Sequence, residues 1–212
     1  MTFADTLVRL HAGLAGPLPG AAAHAWMAPR PRREWPPDFN LARIRHAAGL
    51  LLVFPVAERA HVVLTLRSDT LGRHGGQVSL PGGVAEAGET FEQAALREAH
   101  EEVSLDPNAV RVAGALTPLD IPVSGFRLHP IVATIEGRPS LAPADGEVAR
   151  ILEIDVAELF EHSNRVTVTR ERDGRTLNVP AFRIAGTEIW GATAMVLAEF
   201  LVLLGWDPEK GR

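Results

Sequence analysis

The segment from Gly82 to Leu105, GGVAEAGETFEQAALREAHEEVSL, constrains the fold more than any other part of the sequence. Thr90 followed three residues later by Gln93 is the pattern of a capping box, in which each side chain accepts a hydrogen bond from the other residue's backbone N–H. This pattern predicts a helix from about Phe91 to Val103. The apolar residues that we expect to turn toward a core are Leu96, Ala99 and Val103.

This predicted helix carries three carboxylates on one face, at i, i+3 and i+4: those of Glu98, Glu101 and Glu102. We expect Arg97 to point elsewhere, so that no basic side chain neutralises the face. A hard divalent cation, Mg²⁺ or Mn²⁺, would relieve the repulsion because it binds carboxylate oxygens and bridges to phosphate oxygens. Gly82 and Gly83 allow a close approach of the backbone upstream, and their carbonyls are further candidate ligands. Taken without the glycine loop, a solvated acidic helix face would be the better interpretation of the carboxylates.

The rest of the chain alternates strand and helix patterns, which predicts an α/β (α+β) sandwich for its 212 residues. Apolar runs predict strands at 47–56, 61–67, 110–116, 127–135 and 148–154, and a hairpin joins 166–170 to 176–184 across Asp173-Gly174. A short helix is expected at 156–161, and an apolar helix closes the fold at about 189–204.

Three regions follow from these patterns. Residues 1–40 hold a short helix from Thr2 to Leu14 and then an arm, Pro17 to Pro37, rich in proline and arginine. Residues 41–206 form the main domain, and residues 207–212 form a tail.

Composition excludes several classes of function. The absence of cysteine rules out disulfides, Cys-zinc sites and thiol nucleophiles, and it fits a cytoplasmic protein. The net charge of −5 argues against a nucleic-acid partner. We expect no membrane partner, because the apolar stretch from Ile189 to Trp206 is short and contains Glu199. The chain is expected to be a monomer or homodimer.

The acidic segment resembles the Nudix box, G-x5-E-x7-R-E-U-x-E-E-x-G-U, where U is aliphatic. The matching residues are Gly83, Glu89, Arg97, Glu98, Ala99, Glu101, Glu102 and Leu105. Ser104 departs from the pattern, because it stands at the second glycine of the box and leaves the helix exit open to question.

This resemblance implies a Nudix-type α/β/α sandwich with a central mixed sheet, and the hydrolysis of a nucleoside diphosphate derivative with Mg²⁺ or Mn²⁺. Glu98 and Glu102 would be the principal metal ligands, and Glu101 would be a further ligand or the base that deprotonates water. Glu89 and Arg97 would pair and support the junction of loop and helix.

The stretch from Leu64 to Gly83, LTLRSDTLGRHGGQVSLPGG, resembles the additional signature of Nudix coenzyme A pyrophosphatases, LLTxRSxxLRxHxGQVxFPGG. Gly72 replaces an arginine and Leu80 an aromatic residue. Further resemblance lies in Ser124-Gly125-Phe126, in residues 145–148 and in residues 189–194. The substrate-binding candidates are Arg67, Arg73, His74 and Gln77.

The implied reaction converts coenzyme A, or its thioesters or oxidised forms, to 3′,5′-ADP and 4′-phosphopantetheine. Glu147 is an alternative base, and a surface acid is an equally good interpretation of it. Trp190 fits a core position better than a stacking platform. An ADP-ribose or nucleotide-sugar pyrophosphatase of the same fold is the second hypothesis. A catalytically silent binding module is disfavoured by the intact glutamates.

Overall fold

Strand β1 (Arg45–Val56) runs through the centre of a mixed sheet in a computed structural model that describes residues 1–68, 76–144, 146–172 and 174–210. It pairs antiparallel with β2 (Arg59–Arg67) and parallel with β7 (Phe126–Thr134). The sequence at its centre, a run of buried residues from Ala48 to Phe54, is typical of a strand covered on both faces. β1 therefore separates two cores.

The remaining strands extend this sheet or form a second, three-stranded one. In the main sheet they are β3 (Val78–Ser79), β4 (Gly82–Val84), β5 (Arg111–Ala115), β6 (Leu119–Ile121) and β8 (Val148–Asp155). In the second sheet they are β9 (Arg165–Arg172), β10 (Arg175–Ile184) and β11 (Thr187–Trp190). The helices are α1 (Phe3–Leu14), α2 (Gly20–Met27), α3 (Phe91–Val103), α4 (Val156–Phe160) and α5 (Gly191–Leu203), and 3₁₀ turns lie at Leu41–Arg43, Pro107–Ala109 and His162–Asn164.

Helices cover both faces of the main sheet. Ala95 and Ala99 of α3 pack with Leu50 and Leu52 of β1 on one face. On the other face, Leu51 of β1 belongs to a larger core that includes much of α5. The alternation of side chains along the strand places consecutive residues on opposite faces, so β1 supplies both cores. The predicted sandwich with a central mixed sheet is confirmed.

Helix α3 begins and ends as its sequence dictates. Thr90 and Gln93 form the predicted capping box, with Thr90 Oγ1 accepting from the Gln93 N–H at 3.2 Å and Gln93 Oε1 accepting from the Thr90 N–H at 2.9 Å. Ser104 follows the helix in the left-handed conformation, with φ 58° and ψ 28°. An exposed serine thus adopts the backbone geometry that usually favours glycine at this position.

Several elements differ from the sequence analysis, which did not predict the short strands β3, β4 and β6. The proline-rich arm contains helix α2, whose Met27 is fully buried in the larger core. The closing helix begins at Gly191 instead of Ile189, because Ile189 and Trp190 pair with β10 as the end of β11. A continuous apolar run has no hydrophobic period that distinguishes a strand from a buried helix, so the sequence does not show where β11 ends and α5 begins.

The N-terminal segment is fastened to α5 through a buried carboxylate. Glu199 is fully buried, and its oxygens lie 2.8 Å from His24 Nε2 and 2.6 Å from Thr117 Oγ1. The Gly20 N–H and the Thr117 N–H donate to the same carboxylate. Burial alone would raise the pKa of Glu199, but the hydrogen bonds from His24 and Thr117 outweigh it, and the pKa lies below its ordinary value. Along the described residues, no helix is long and apolar enough to cross a bilayer.

Replacing Glu199 by alanine should lower the free energy of unfolding by roughly 3–5 kcal/mol, because the change leaves several buried hydrogen-bond donors without an acceptor. Urea unfolding at neutral pH measures this. The exposed Glu34 provides a control, since Glu34→Ala should change stability by less than about 0.5 kcal/mol. A loss of similar size in both variants would contradict this account of the anchor.

The same carboxylate predicts a pH dependence. Because the folded-state pKa of Glu199 is depressed, its ionisation stabilises the fold above the ordinary value of 4.5, and that contribution disappears as the pH falls through the folded-state pKa. The difference in stability between the wild type and Glu199→Gln should therefore be constant near neutral pH and shrink in acid. A difference independent of pH would contradict it.

Candidate functional site

The two glycines that begin β4 bring the backbone against the acidic face of α3. Gly83 faces Glu98 so closely that a Cβ on Gly83 would lie 2.5 Å from the carboxylate. The Gly82 N–H donates to Glu102 Oε2 at 3.2 Å. Both glycines are held in the sheet because β4 pairs with β1, and the Leu50 N–H donates to Pro81 O at 2.8 Å just before them. The glycines and two of the predicted carboxylates thus form one cluster.

Arg97 lies within this acidic cluster, which corrects the prediction that no basic side chain neutralises it. Its Nη1 donates to Glu98 Oε1 at 2.9 Å and to Glu101 Oε2 at 3.0 Å. The helical spacing alone places Arg97 away from Glu98, but a guanidinium on a long side chain can turn back across the helix surface. The repulsion between these two carboxylates is therefore offset by a cation of the chain itself.

The other end of the same guanidinium fixes the loop before α3. Arg97 Nε and Nη2 donate to the two carboxylate oxygens of Glu89 at 2.7 and 3.1 Å, and Nη2 also donates to Val84 O at 3.1 Å. The hydrogen bond from Arg97, and next the N–H of Glu86, hold the pKa of Glu89 below its usual range. Glu89 in turn raises the pKa of Arg97. Both groups are charged at any physiological pH.

Glu102, the most buried of the three glutamates, faces a second arginine. It is 5% exposed, and Arg67 Nη1 lies 3.9 Å from its Oε1. Arg67 Nη2 also donates to Glu147 Oε2 at 2.9 Å. Glu147 reaches this position because its backbone O accepts from the Ser68 N–H at 2.7 Å. Arg67 therefore joins Glu147 to the acidic helix.

The remaining substrate-binding candidates are only partly described. Gln77 lies beside the end of β2, where its backbone O accepts a hydrogen bond from the Arg67 N–H at 3.0 Å. It also lines a cavity on that side of the sheet. Arg73 and His74 lie outside the described residues. Trp190 lines the same cavity as Gln77 and is partly exposed, in contrast to the core position favoured by its sequence context.

A protein-family model described as "NUDIX domain" matches residues 44–171 of the sequence, which is more than half of the chain. The chain belongs to the Nudix family. The match begins just before β1 and includes β4 with its two glycines, α3 and Glu147. Family membership makes the chain a pyrophosphohydrolase, and Nudix hydrolases generally use divalent metals such as Mg²⁺ or Mn²⁺.

Bacterial Nudix relatives match most of the chain. The protein described as "Uncharacterized Nudix hydrolase NudL" from Pectobacterium atrosepticum is 32% identical over 176 residues, which are 82% of this chain and 91% of that protein. The protein of the same description from Citrobacter koseri is 34% identical over 175 residues, 81% of this chain and 90% of that protein. The crystal structure of a MutT/nudix family protein from Enterococcus faecalis has a TM-score of 0.52 at 16% identity, over 84% of this chain and 67% of that one, which supports the fold.

A histidine pair beside the Nudix helix was missed by the sequence analysis. His46 Nδ1 and His129 Nε2 lie 2.9 Å apart on the paired strands β1 and β7, and the His129 ring stacks on Phe91 at 3.5 Å between centroids. Burial, and next the neighbouring His46, lower the pKa of His129 to about 4. His129 is therefore neutral at physiological pH. The two histidines are 83 residues apart, so only the sheet pairing could have joined them.

The chemistry of the cluster suits a hard divalent ion. Its donors are carboxylate oxygens and backbone carbonyls, the ligands that Mg²⁺ and Mn²⁺ prefer. Among the described residues, no three acidic or histidine side chains are arranged so that they could hold a metal ion together. The three glutamates are instead paired with Arg97 and Arg67. Binding would require Glu98 and Glu101 to exchange the Nη1 of Arg97 for the ion. The bidentate pair with Glu89 needs no such change.

The two glycines should respond differently to alanine. A Cβ at Gly82 would meet backbone atoms of Ala48 and Gly49, which cannot move aside, whereas at Gly83 it would meet only the end of the Glu98 side chain. Gly82→Ala should therefore lower the melting temperature by several degrees or prevent folding. Gly83→Ala should fold with nearly normal stability and lose hydrolytic activity because Glu98 is displaced.

Thermal unfolding and a turnover assay on the same preparations test this pair of changes. The exposed Gly137, where a Cβ meets no atom within 4 Å, is a matched control. Normal turnover in a folded Gly83→Ala variant would contradict the proposed role of Glu98.

Proposed function

We propose that this Nudix hydrolase cleaves the diphosphate of coenzyme A, its thioesters or its oxidised forms, with Mg²⁺ or Mn²⁺ as cofactor. The observation that carries the proposal is Arg67. This residue belongs to the stretch that resembles the coenzyme A pyrophosphatase signature, and its guanidinium contacts both Glu102 and Glu147. The signature and the Nudix box therefore contribute to one cluster of charged groups.

In this proposal Glu98, Glu101 and Glu102 hold the ion with the carbonyls of Gly82 and Gly83. The bound ion supplies charge neutralisation on the diphosphate and a lowered pKa for a coordinated water. Arg67 is also suited to bind a phosphate oxygen, because its side chain is 27% exposed and its guanidinium is always charged. Gln77 is a neutral donor next to it, and Arg73 and His74 remain candidates on sequence grounds.

Two carboxylates are suited to accept the proton of the attacking water. Glu101 has the most exposed side chain of the three glutamates on α3, at 51%, compared with 18% for Glu98 and 7% for Glu102. Glu147 is 48% exposed and is held by Arg67. Water adds its oxygen to a phosphorus, the bridging P–O bond breaks, and the carboxylate takes the proton. The products are 3′,5′-ADP and 4′-phosphopantetheine.

Parallel incubation with coenzyme A, ADP-ribose and NADH in ¹⁸O water, with the products identified by mass, tests the proposal. We expect coenzyme A to be consumed fastest, with one ¹⁸O on a phosphoryl product, since the carbon–oxygen bonds stay intact. Dephospho-coenzyme A as the product would mean removal of the 3′-phosphate and would refute the reaction. Preferential cleavage of ADP-ribose would favour the second hypothesis.

Two variants link the reaction to the acidic face. Glu98→Gln and Glu102→Gln should each lower kcat by about a hundredfold or more, because each removes a charged ligand. Glu92→Gln on the exposed first turn of the same helix is the control and should leave kcat nearly unchanged. Full activity in excess chelator, or near-normal kcat in both site variants, would contradict the metal-ligand roles.

A further inference from the structure

A cavity of about 440 Å³ lies between the edge of the main sheet and the three-stranded sheet. Leu66, Gln77 and Val78 line it from the main sheet, and Arg170 and Trp190 line it from the other. The hydrogen bond from Thr193 Oγ1 to Val78 O, at 3.0 Å, fastens the beginning of α5 to this edge. This hydrogen bond joins the helix that follows β11 to a strand that lines the cavity.

The cavity carries an aromatic ring under a cation. The guanidinium carbon of Arg170 lies 4.6 Å from the centre of the Trp190 ring. In the described part of the chain, Arg170 Nε is buried without a hydrogen-bond partner. A buried N–H of a charged group is costly to leave unpaired, so an acceptor from a ligand would lower the free energy of this arrangement.

The charged side chains around the cavity are predominantly basic. Glu188 accepts from Arg170 Nη2 at 2.8 Å and from Arg183 Nη2 at 2.7 Å. Arg150 Nη2 lies 3.4 Å from the hydroxyl of Thr187, which also lines the cavity. Two guanidinium groups thus share one carboxylate, and the side chains of Arg170 and Arg183 are 38% and 49% exposed. Such a group favours a phosphate over a neutral or cationic ligand.

One residue, Arg67, contacts both the cavity-lining Gln77 and the acidic cluster. The Gln77 O accepts from the N–H of Arg67, and the guanidinium of Arg67 contacts Glu102. Leu66, which lines the cavity, is next in the chain to the arginine that contacts the glutamates. A second groove beside Gly83 is smaller, about 210 Å³, and its lining among the described residues is apolar apart from Ser124.

We propose that the Trp190 cavity binds the 3′-phosphoadenosine end of the substrate. The adenine contacts the Trp190 ring, and the 3′-phosphate accepts hydrogen bonds from Arg170, with Arg183 adding positive charge. This assignment rests on the proposed coenzyme A specificity for the identity of the ligand. It assigns discrimination by the 3′-phosphate to the second sheet, outside both the Nudix box and the upstream signature.

Binding of the product-side nucleotides tests the cavity without any turnover. Calorimetric titration should show that the wild-type protein binds 3′,5′-ADP about tenfold or more tightly than 5′-AMP, as one charge-assisted contact would give. Arg170→Gln should bring the two affinities within about threefold of each other. Arg183→Gln should reduce the preference less, and it serves as the second variant if Arg170→Gln does not fold.

The matched control is Arg45, the corresponding cation of the other groove. Its guanidinium carbon lies 3.9 Å from the centre of the Phe126 ring, and Phe126 lines that groove. Arg45→Gln should keep the preference for 3′,5′-ADP. Tryptophan fluorescence should fall on nucleotide binding in the wild type and not in Trp190→Phe.

The outcomes separate this inference from the proposed function. An equal affinity of the wild type for both nucleotides, an unchanged preference in Arg170→Gln, or a preference lost in Arg45→Gln would overturn the cavity assignment, even if coenzyme A is hydrolysed. A preference that depends on Arg170 supports the assignment. If that dependence is found while coenzyme A is not cleaved, the proposed substrate is wrong and the 3′-phosphonucleoside site stands.

Discussion

The Arg97 guanidinium organises the candidate active site, because it makes five hydrogen bonds, as many as it has N–H groups. Two of these bonds go to Glu89 and one to Val84, which fixes the loop before α3. The other two go to Glu98 and Glu101 on the helix. A single, partly buried guanidinium thus holds the loop and the acidic face in one arrangement. Its bonds to Glu89 do not involve the acidic face, so they can persist when the face binds another charge.

The two glycines before the helix add a steric constraint to this electrostatic one. Gly82 packs against the backbone of β1, and Gly83 packs against Glu98. The pairing of β4 with β1 therefore fixes the two glycines, and Gly83 limits the position of one carboxylate. Since β1 also supplies both cores, the stability of the fold and the geometry of the site depend on the same strand. The Glu199 anchor contributes at a distance, because it ties α2 and Thr117 to the helix that closes the opposite face.

Local signals account for what the sequence predicted well. The capping box of Thr90 and Gln93 determined both the presence and the start of α3, and the spacing of Glu98, Glu101 and Glu102 predicted its acidic face. The predictions were weaker where long side chains or distant strands decide the outcome. Arg97 turns back over its own helix, which the positions on a helical projection do not reveal. The contact of Glu147 with Arg67 spans 80 residues and follows from the hydrogen bonding of β2 to the segment before β8. The pairing of Trp190 with β10 was hidden in an apolar run.

A crystal structure of the protein with Mn²⁺, using the anomalous signal of manganese, tests the central claim that the acidic face held by Arg97 is a cation site. The account predicts manganese bonded to the Glu98 and Glu102 carboxylates, with Arg97 still paired with Glu89 and its Nη1 withdrawn from Glu98. Manganese bound elsewhere, with Glu98 and Glu101 still held by Arg97, would contradict it.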